Sequence, residues 1–125
     1  MLANFRFMKI EHVGDRPKLL GNLQARTARQ AELRDPHIAP LTAFVDRVRA
    51  AMGSDYEIPY FDPWDGGTAA EVLYLLEAPG SKAVLSGFVS RNNPDESAKT
   101  FFELNVFRVF RLRDSAEFSL RVSVR

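Results

Sequence analysis

Residues 71–80 read EVLYLLEAPG, and this stretch decides the fold class. Val72, Leu73, Tyr74, Leu75 and Leu76 follow one another without a polar break. A strand with one face in water alternates apolar and polar residues, whereas a strand covered on both faces does not. Pro79-Gly80 then closes the run before it is long enough for a helix. The pattern predicts a buried parallel strand in an α/β sheet. Ligands of such sheets bind just beyond the carboxyl ends of strands, which makes residues 77–80 the first candidate for a site.

Downstream, residues 81–93 read as a loop. Pro94 is expected to open a helix, with Asn93 as its cap and Glu96 completing a capping box. Ala98, Phe101, Phe102 and Leu104 continue that helix. Residues 110–113 and 117–125 alternate apolar and polar side chains around the short link Asp114-Ser115-Ala116, the pattern of a β-hairpin.

Upstream, residues 54–67 read SDYEIPYFDPWDGG. Pro59, Pro63 and Gly66-Gly67 exclude a regular element, so an ordered loop is expected, with Tyr56, Tyr60, Phe61 and Trp64 packed. The spacing of Asp62 and Asp65 fits no calcium loop, and no metal site is expected there. Ile38, Leu41, Val45, Val48 and Met52 recur at helical spacing after the start signal Asp35-Pro36, with Gly53 as the stop. Pro40 moves the expected start a turn later. Residues 17–33 form a second expected helix, with Leu19, Leu20, Leu23, Ala28 and Ala31 near one side and Gly21 weakening it. Residues 1–15 show no clear period.

A chain of 125 residues suffices for one domain. Seventeen Lys+Arg against sixteen Asp+Glu leave a net charge of +1, so no global polycation announces nucleic-acid binding. The sequence has no cysteine, which excludes disulfides, thiolate metal sites, a Cys nucleophile and a Cys-ligated iron–sulfur cluster. No apolar run approaches the roughly 20 residues of a membrane span, and the first ten residues lack a signal-peptide pattern. A cytoplasmic protein without a membrane partner is expected. The charge is uneven: residues 106–125 hold five Arg, no Lys and two acids. Residues 1–105 and 106–125 are therefore read as separate segments.

The motif strand and its EAPG end are followed by Ser86-Gly87-Phe88-Val89-Ser90-Arg91-Asn92-Asn93-Pro94. This order resembles the uracil-DNA glycosylase superfamily, and EAPG followed by FVS resembles the first motif of its iron–sulfur class. The wider stretch IPYFDPWDGGTAAEVLYLLEAPGSKAVLSGFVSRNNPDESAKTFFEL, residues 58–104, is similar to a bacterial branch of that superfamily. The resemblance implies part of an α/β/α sandwich around a parallel sheet. It implies hydrolysis of the N-glycosidic bond of uracil in DNA, as in base excision repair, after the nucleotide is flipped into a pocket.

Carried over by position, Glu77, Ala78, Pro79 and Gly80 form the catalytic loop that contacts uracil and places the water. Phe88 stacks on the flipped base, and Asn92 joins it on the substrate side. Lys82 and Arg91 meet DNA phosphates. Ala78 stands where the best-known class has a water-activating Asp, which leaves Glu77 as the substitute carboxylate. No cofactor is expected without cysteines. Nothing after Leu104 resembles the strand whose Asn reads uracil. His12 and His37 both precede the motif strand, so neither matches the leaving-group His and both read as surface or capping residues. The expectation is the amino-terminal part of a glycosylase domain, truncated and inactive, self-associating to cover an open sheet edge. The other reading is a non-catalytic module whose hairpin presents Arg108, Arg111, Arg113, Arg121 and Arg125 to nucleic acid or a protein partner.

Overall fold

A computed structural model describes residues 2–5, 14–70 and 72–114. The elements are β1 (Leu2–Phe5), α1 (Leu23–Ala31), α2 (Ala39–Met52), β2 (Tyr60–Phe61), β3 (Val72–Leu75), α3 (Ser81–Ser86), β4 (Phe88–Val89) and α4 (Glu96–Asp114). Short 3₁₀ turns lie at Leu19–Gly21, Glu32–Arg34 and Gly67–Ala69. Helices combine with a small parallel sheet, which is the mixed α/β class expected. No helix among the described residues is long and apolar enough to cross a membrane.

The helix expected from residue 17 is split. Gly21 ends a 3₁₀ turn, and Asn22 starts α1 by accepting from the amides of Gln24 at 2.8 Å and Ala25 at 3.2 Å. An Asn cap satisfies amides that the helix itself leaves open. Leu20 and Leu33, on either side of α1, are buried, but Leu23 is 68% exposed, so the expected stripe does not hold. α2 starts late, as Pro40 requires. The Asp35 carbonyl accepts from Ile38 and Ala39, and Pro40 lies in the first turn, where its missing N–H costs nothing. Ile38 and Val45 are buried, and Gly53 at φ 81° ends the helix in a conformation that favours glycine.

The motif strand differs from expectation. β3 pairs antiparallel with β1, Tyr74 opposite Ala3 and Leu73 opposite Asn4. Its side chains alternate: Leu73 and Leu75 are exposed, while Tyr74 and Leu76 pack inward. An apolar run therefore did not mean two covered faces. The strand buried on both faces is β4, within the stretch expected to be loop. It runs parallel to β2, Tyr60 opposite Phe88 and Phe61 opposite Val89. Phe88 enters a cluster with Leu20, Leu33 and Tyr60, and Val89 enters another with Tyr74, Leu76 and Phe101. Two successive residues reach opposite faces because a strand alternates. Tyr74 and Phe101 meet edge-on, with ring centroids 5.3 Å apart.

The last helix also differs at both ends. Its cap is Asp95, whose carboxylate accepts from the Ala98 amide at 2.8 Å. Asn93 instead donates to the Phe88 carbonyl and accepts from Ser86. α4 then runs through Asp114, so residues 110–113 are helical and are not the first strand of a hairpin. The helix also crosses the 105/106 boundary without a break. The expected second strand, 117–125, lies outside the described residues.

Candidate functional site

The loop after β3 and the turn after β4 face a common cleft of about 530 Å³. Glu77, Ala78 and Gly80 line it from the loop, Lys82 from α3, Ser90, Arg91 and Asn93 from the turn, and Asp95 and Ala98 from the start of α4. Val89 and Phe101 supply apolar lining. Glu77, Gly80 and Lys82 are exposed, so the loop side is open to solvent and the turn side is buried. A second hollow of about 530 Å³ lies beside the end of α2. Its Arg49 is held by the Ile58 carbonyl and stacks on Tyr60 at 3.9 Å.

Behind the turn lies a buried ionic clamp. Arg29 pairs with Asp62, and both side chains are inaccessible. Asp62 also accepts from the Ser90 hydroxyl and, at 2.9 Å, from the Trp64 amide. Trp64 lies under the Arg29 guanidinium at 3.7 Å and donates its indole N–H to Glu32 at 2.8 Å. Arg91 reaches Asp15 at 2.6 Å and Asp65 at 2.9 Å. Asn92 donates to Asp15 at 2.8 Å and to the Arg16 carbonyl at 2.9 Å, and receives Arg29 at 3.4 Å. Buried charges persist only when paired in this way.

The clamp holds three carboxylates against two guanidiniums. Burial, then the negative charge of Asp62, pushes the Asp65 carboxyl well above the usual carboxylate range, against the pull of Arg91 and Arg29. Burial pulls the Arg91 guanidinium down, but the charges of Asp65 and Asp15 outweigh it and hold it above its ordinary value.

Of the residues the sequence singled out, Glu77, Ala78, Gly80, Lys82 and Arg91 come together on the cleft. Pro79 sits half-buried within the same loop. Phe88 and Asn92 are not part of the cleft. Phe88 is 0% exposed in the core, where it has no free face for a base, and Asn92 is tied to Asp15, Arg16 and Arg29. Arg91 lines the cleft with its charge engaged by two carboxylates, so Lys82 is the cleft's exposed cation among the described residues. His37 is exposed and bonds the Pro63 carbonyl, away from the cleft; His12 lies outside the described residues.

The sequence reading missed the role of Asp62 and Asp65. Two acids set among Tyr60, Phe61 and Trp64 had to be buried with that aromatic stretch, and hence needed cationic partners. The chain matches no family model, no curated protein and no solved structure.

Proposed function

We propose that this chain is a uracil-DNA glycosylase-like protein whose cleft receives a uracil flipped out of DNA. The observation that carries this reading is the convergence of the Glu77–Gly80 loop, Lys82 and the 90–93 turn on one cleft. These are the segments of the resemblance, in its order. The cleft volume of about 530 Å³ is in the range of small-molecule sites. On this reading the β2–β4 sheet and its helices belong to an α/β/α sandwich.

The chemistry follows from the lining. The loop backbone offers amides and carbonyls to the edge of the base. Lys82 meets a phosphate as the backbone is drawn in. The Glu77 carboxylate orients the water that attacks the sugar carbon as the glycosidic bond breaks and uracil departs as an anion. The Asn and His that complete the site in the resembling superfamily have no counterpart among the described residues, so the expectation is binding with little turnover. The alternative of an Arg-rich hairpin loses its first strand to α4.

The test is binding of a uracil-containing oligonucleotide against the same sequence with thymine, by fluorescence anisotropy. The parent is expected to prefer uracil by about tenfold or more, a free-energy difference of roughly 1.4 kcal/mol. Gly80→Leu is expected to abolish the preference. A Cβ at Gly80 meets nothing within 4 Å, so the variant keeps its fold while filling the cleft rim. Lys82→Glu is expected to weaken both oligonucleotides alike. Equal affinity of the parent for both overturns the reading.

A further inference from the structure

We infer that Asp62, which never touches the cleft, is the residue that positions its inner wall, acting through Ser90 and Arg29. This rests on the proposed reading only for the identity of the ligand. The wall is the turn 90–93, where the chain leaves β4 and reverses toward α4. A turn of this kind is held by its side chains, because its backbone belongs to neither strand nor helix. Here the fixing groups are explicit. The Ser90 hydroxyl donates to one oxygen of Asp62 and accepts the Asn92 amide at 2.9 Å. The other Asp62 oxygen takes Arg29, whose second nitrogen reaches the Asn92 side chain at 3.4 Å. One carboxylate thus fixes both ends of the Ser90–Arg91–Asn92 run from behind.

The requirement for a carboxylate is chemical. Asp62 receives Ser90, Arg29 and the Trp64 amide, which are all donors, and an ionised carboxylate has only acceptors to offer. An amide in its place turns an N–H toward either Ser90 or Arg29. Asp62 is 1% exposed and is not a lining residue, so it contacts no ligand and acts by position alone.

Ser90→Ala and Asp62→Asn test this, each followed by native-state hydrogen exchange at residues 90–93 and by the two-oligonucleotide comparison. Ser90→Ala keeps the Arg29–Asp62 pair and hence the fold. It is expected to speed exchange of the Asn92 amide about tenfold or more, the weight of one lost buried bond, with α2 amides unchanged. The uracil preference should fall by a similar factor, while the affinity for thymine DNA stays constant. Asp62→Asn should do the same more strongly; if it does not fold, Ser90→Ala decides alone. Unchanged exchange at 90–93 in Ser90→Ala overturns the inference. So does faster exchange with the uracil preference intact. A parent without uracil preference instead overturns the ligand reading, and the exchange arm, which needs no ligand, then decides the positioning role alone.

Discussion

Replacing Phe88 by alanine separates a residue that builds the core from one that meets a ligand. The ring is 0% exposed and packs against Leu20, Leu33 and Tyr60, which come from three different segments. Removing a buried Phe ring costs about 3–5 kcal/mol, the transfer of the ring plus the cavity left behind. Here the upper half of that range applies, because the neighbours cannot close in. The Leu20 amide is pinned to the Asn92 carbonyl at 3.0 Å, and Tyr60 is held in β2 with its hydroxyl on Asp46 at 2.6 Å. Set against a total stability of about 5–15 kcal/mol, a loss near 4 kcal/mol is a third or more. With a urea slope of about 2 kcal/mol per molar, the midpoint should drop by about 2 M. Far-ultraviolet circular dichroism against urea measures it. Leu23→Ala, at a residue 68% exposed, serves as the control and should stay within about 0.5 kcal/mol. A Phe88→Ala protein less than about 1 kcal/mol weaker than the parent, yet blind to uracil, would refute the packing argument and put the ring at the base.

The remaining predictions concern the clamp and its loop. The Asp65 carboxyl is raised in the folded state by burial first and by Asp62 second, so the folded protein holds that proton more tightly than the unfolded chain. The stability contributed by this proton is complete below the ordinary unfolded carboxylate value of about 3.9 and is lost as pH rises toward the raised folded value. Asp65→Asn fixes the neutral form, so its urea midpoint relative to the parent should improve from pH 4 to pH 8; a pH-independent difference counts against the protonated clamp. Gly67 lies at φ 55°, and a Cβ there would sit 2.4 Å from the His37 carbonyl oxygen. Gly67→Ala should therefore cost about 2 kcal/mol or more, whereas Gly80→Ala, with open space, should be neutral within about 0.5 kcal/mol in thermal melts.

What the sequence made legible follows from which forces act locally. The stop of α2 at Gly53 and the delay imposed by Pro40 depend on backbone sterics at single residues, and both hold. The loop 77–80 lies at the end of its strand, as the Pro79-Gly80 break predicts. The strand's surroundings were not legible, because an apolar run says nothing about what covers it; Leu73 and Leu75 are exposed. β4 was read as loop because two residues carry no period, and its parallel partner lies 28 positions away in the paired register Tyr60 with Phe88. The helical state of residues 110–113 shows the opposite error, in which four residues that alternate also fit a helix. In the site, the loop and Lys82 were found from the motif. The Arg29–Asp62–Ser90 linkage was not, since it joins three distant segments through side chains alone.

One further consequence lies in His37. Its Nε2 is 2.8 Å from the Pro63 carbonyl, an oxygen that can only accept, so Nε2 carries the hydrogen and the neutral ring is fixed in that tautomer. Acid adds a second proton at Nδ1, on the far side of the ring, and the bond to Pro63 survives. The imidazole and its own backbone carbonyl, which accepts from Thr68 at 2.8 Å, therefore hold both ends of the loop bearing Asp62 and Asp65. That seat is indifferent to the ionisation of the histidine. Any acid response of this region is left to its carboxylates.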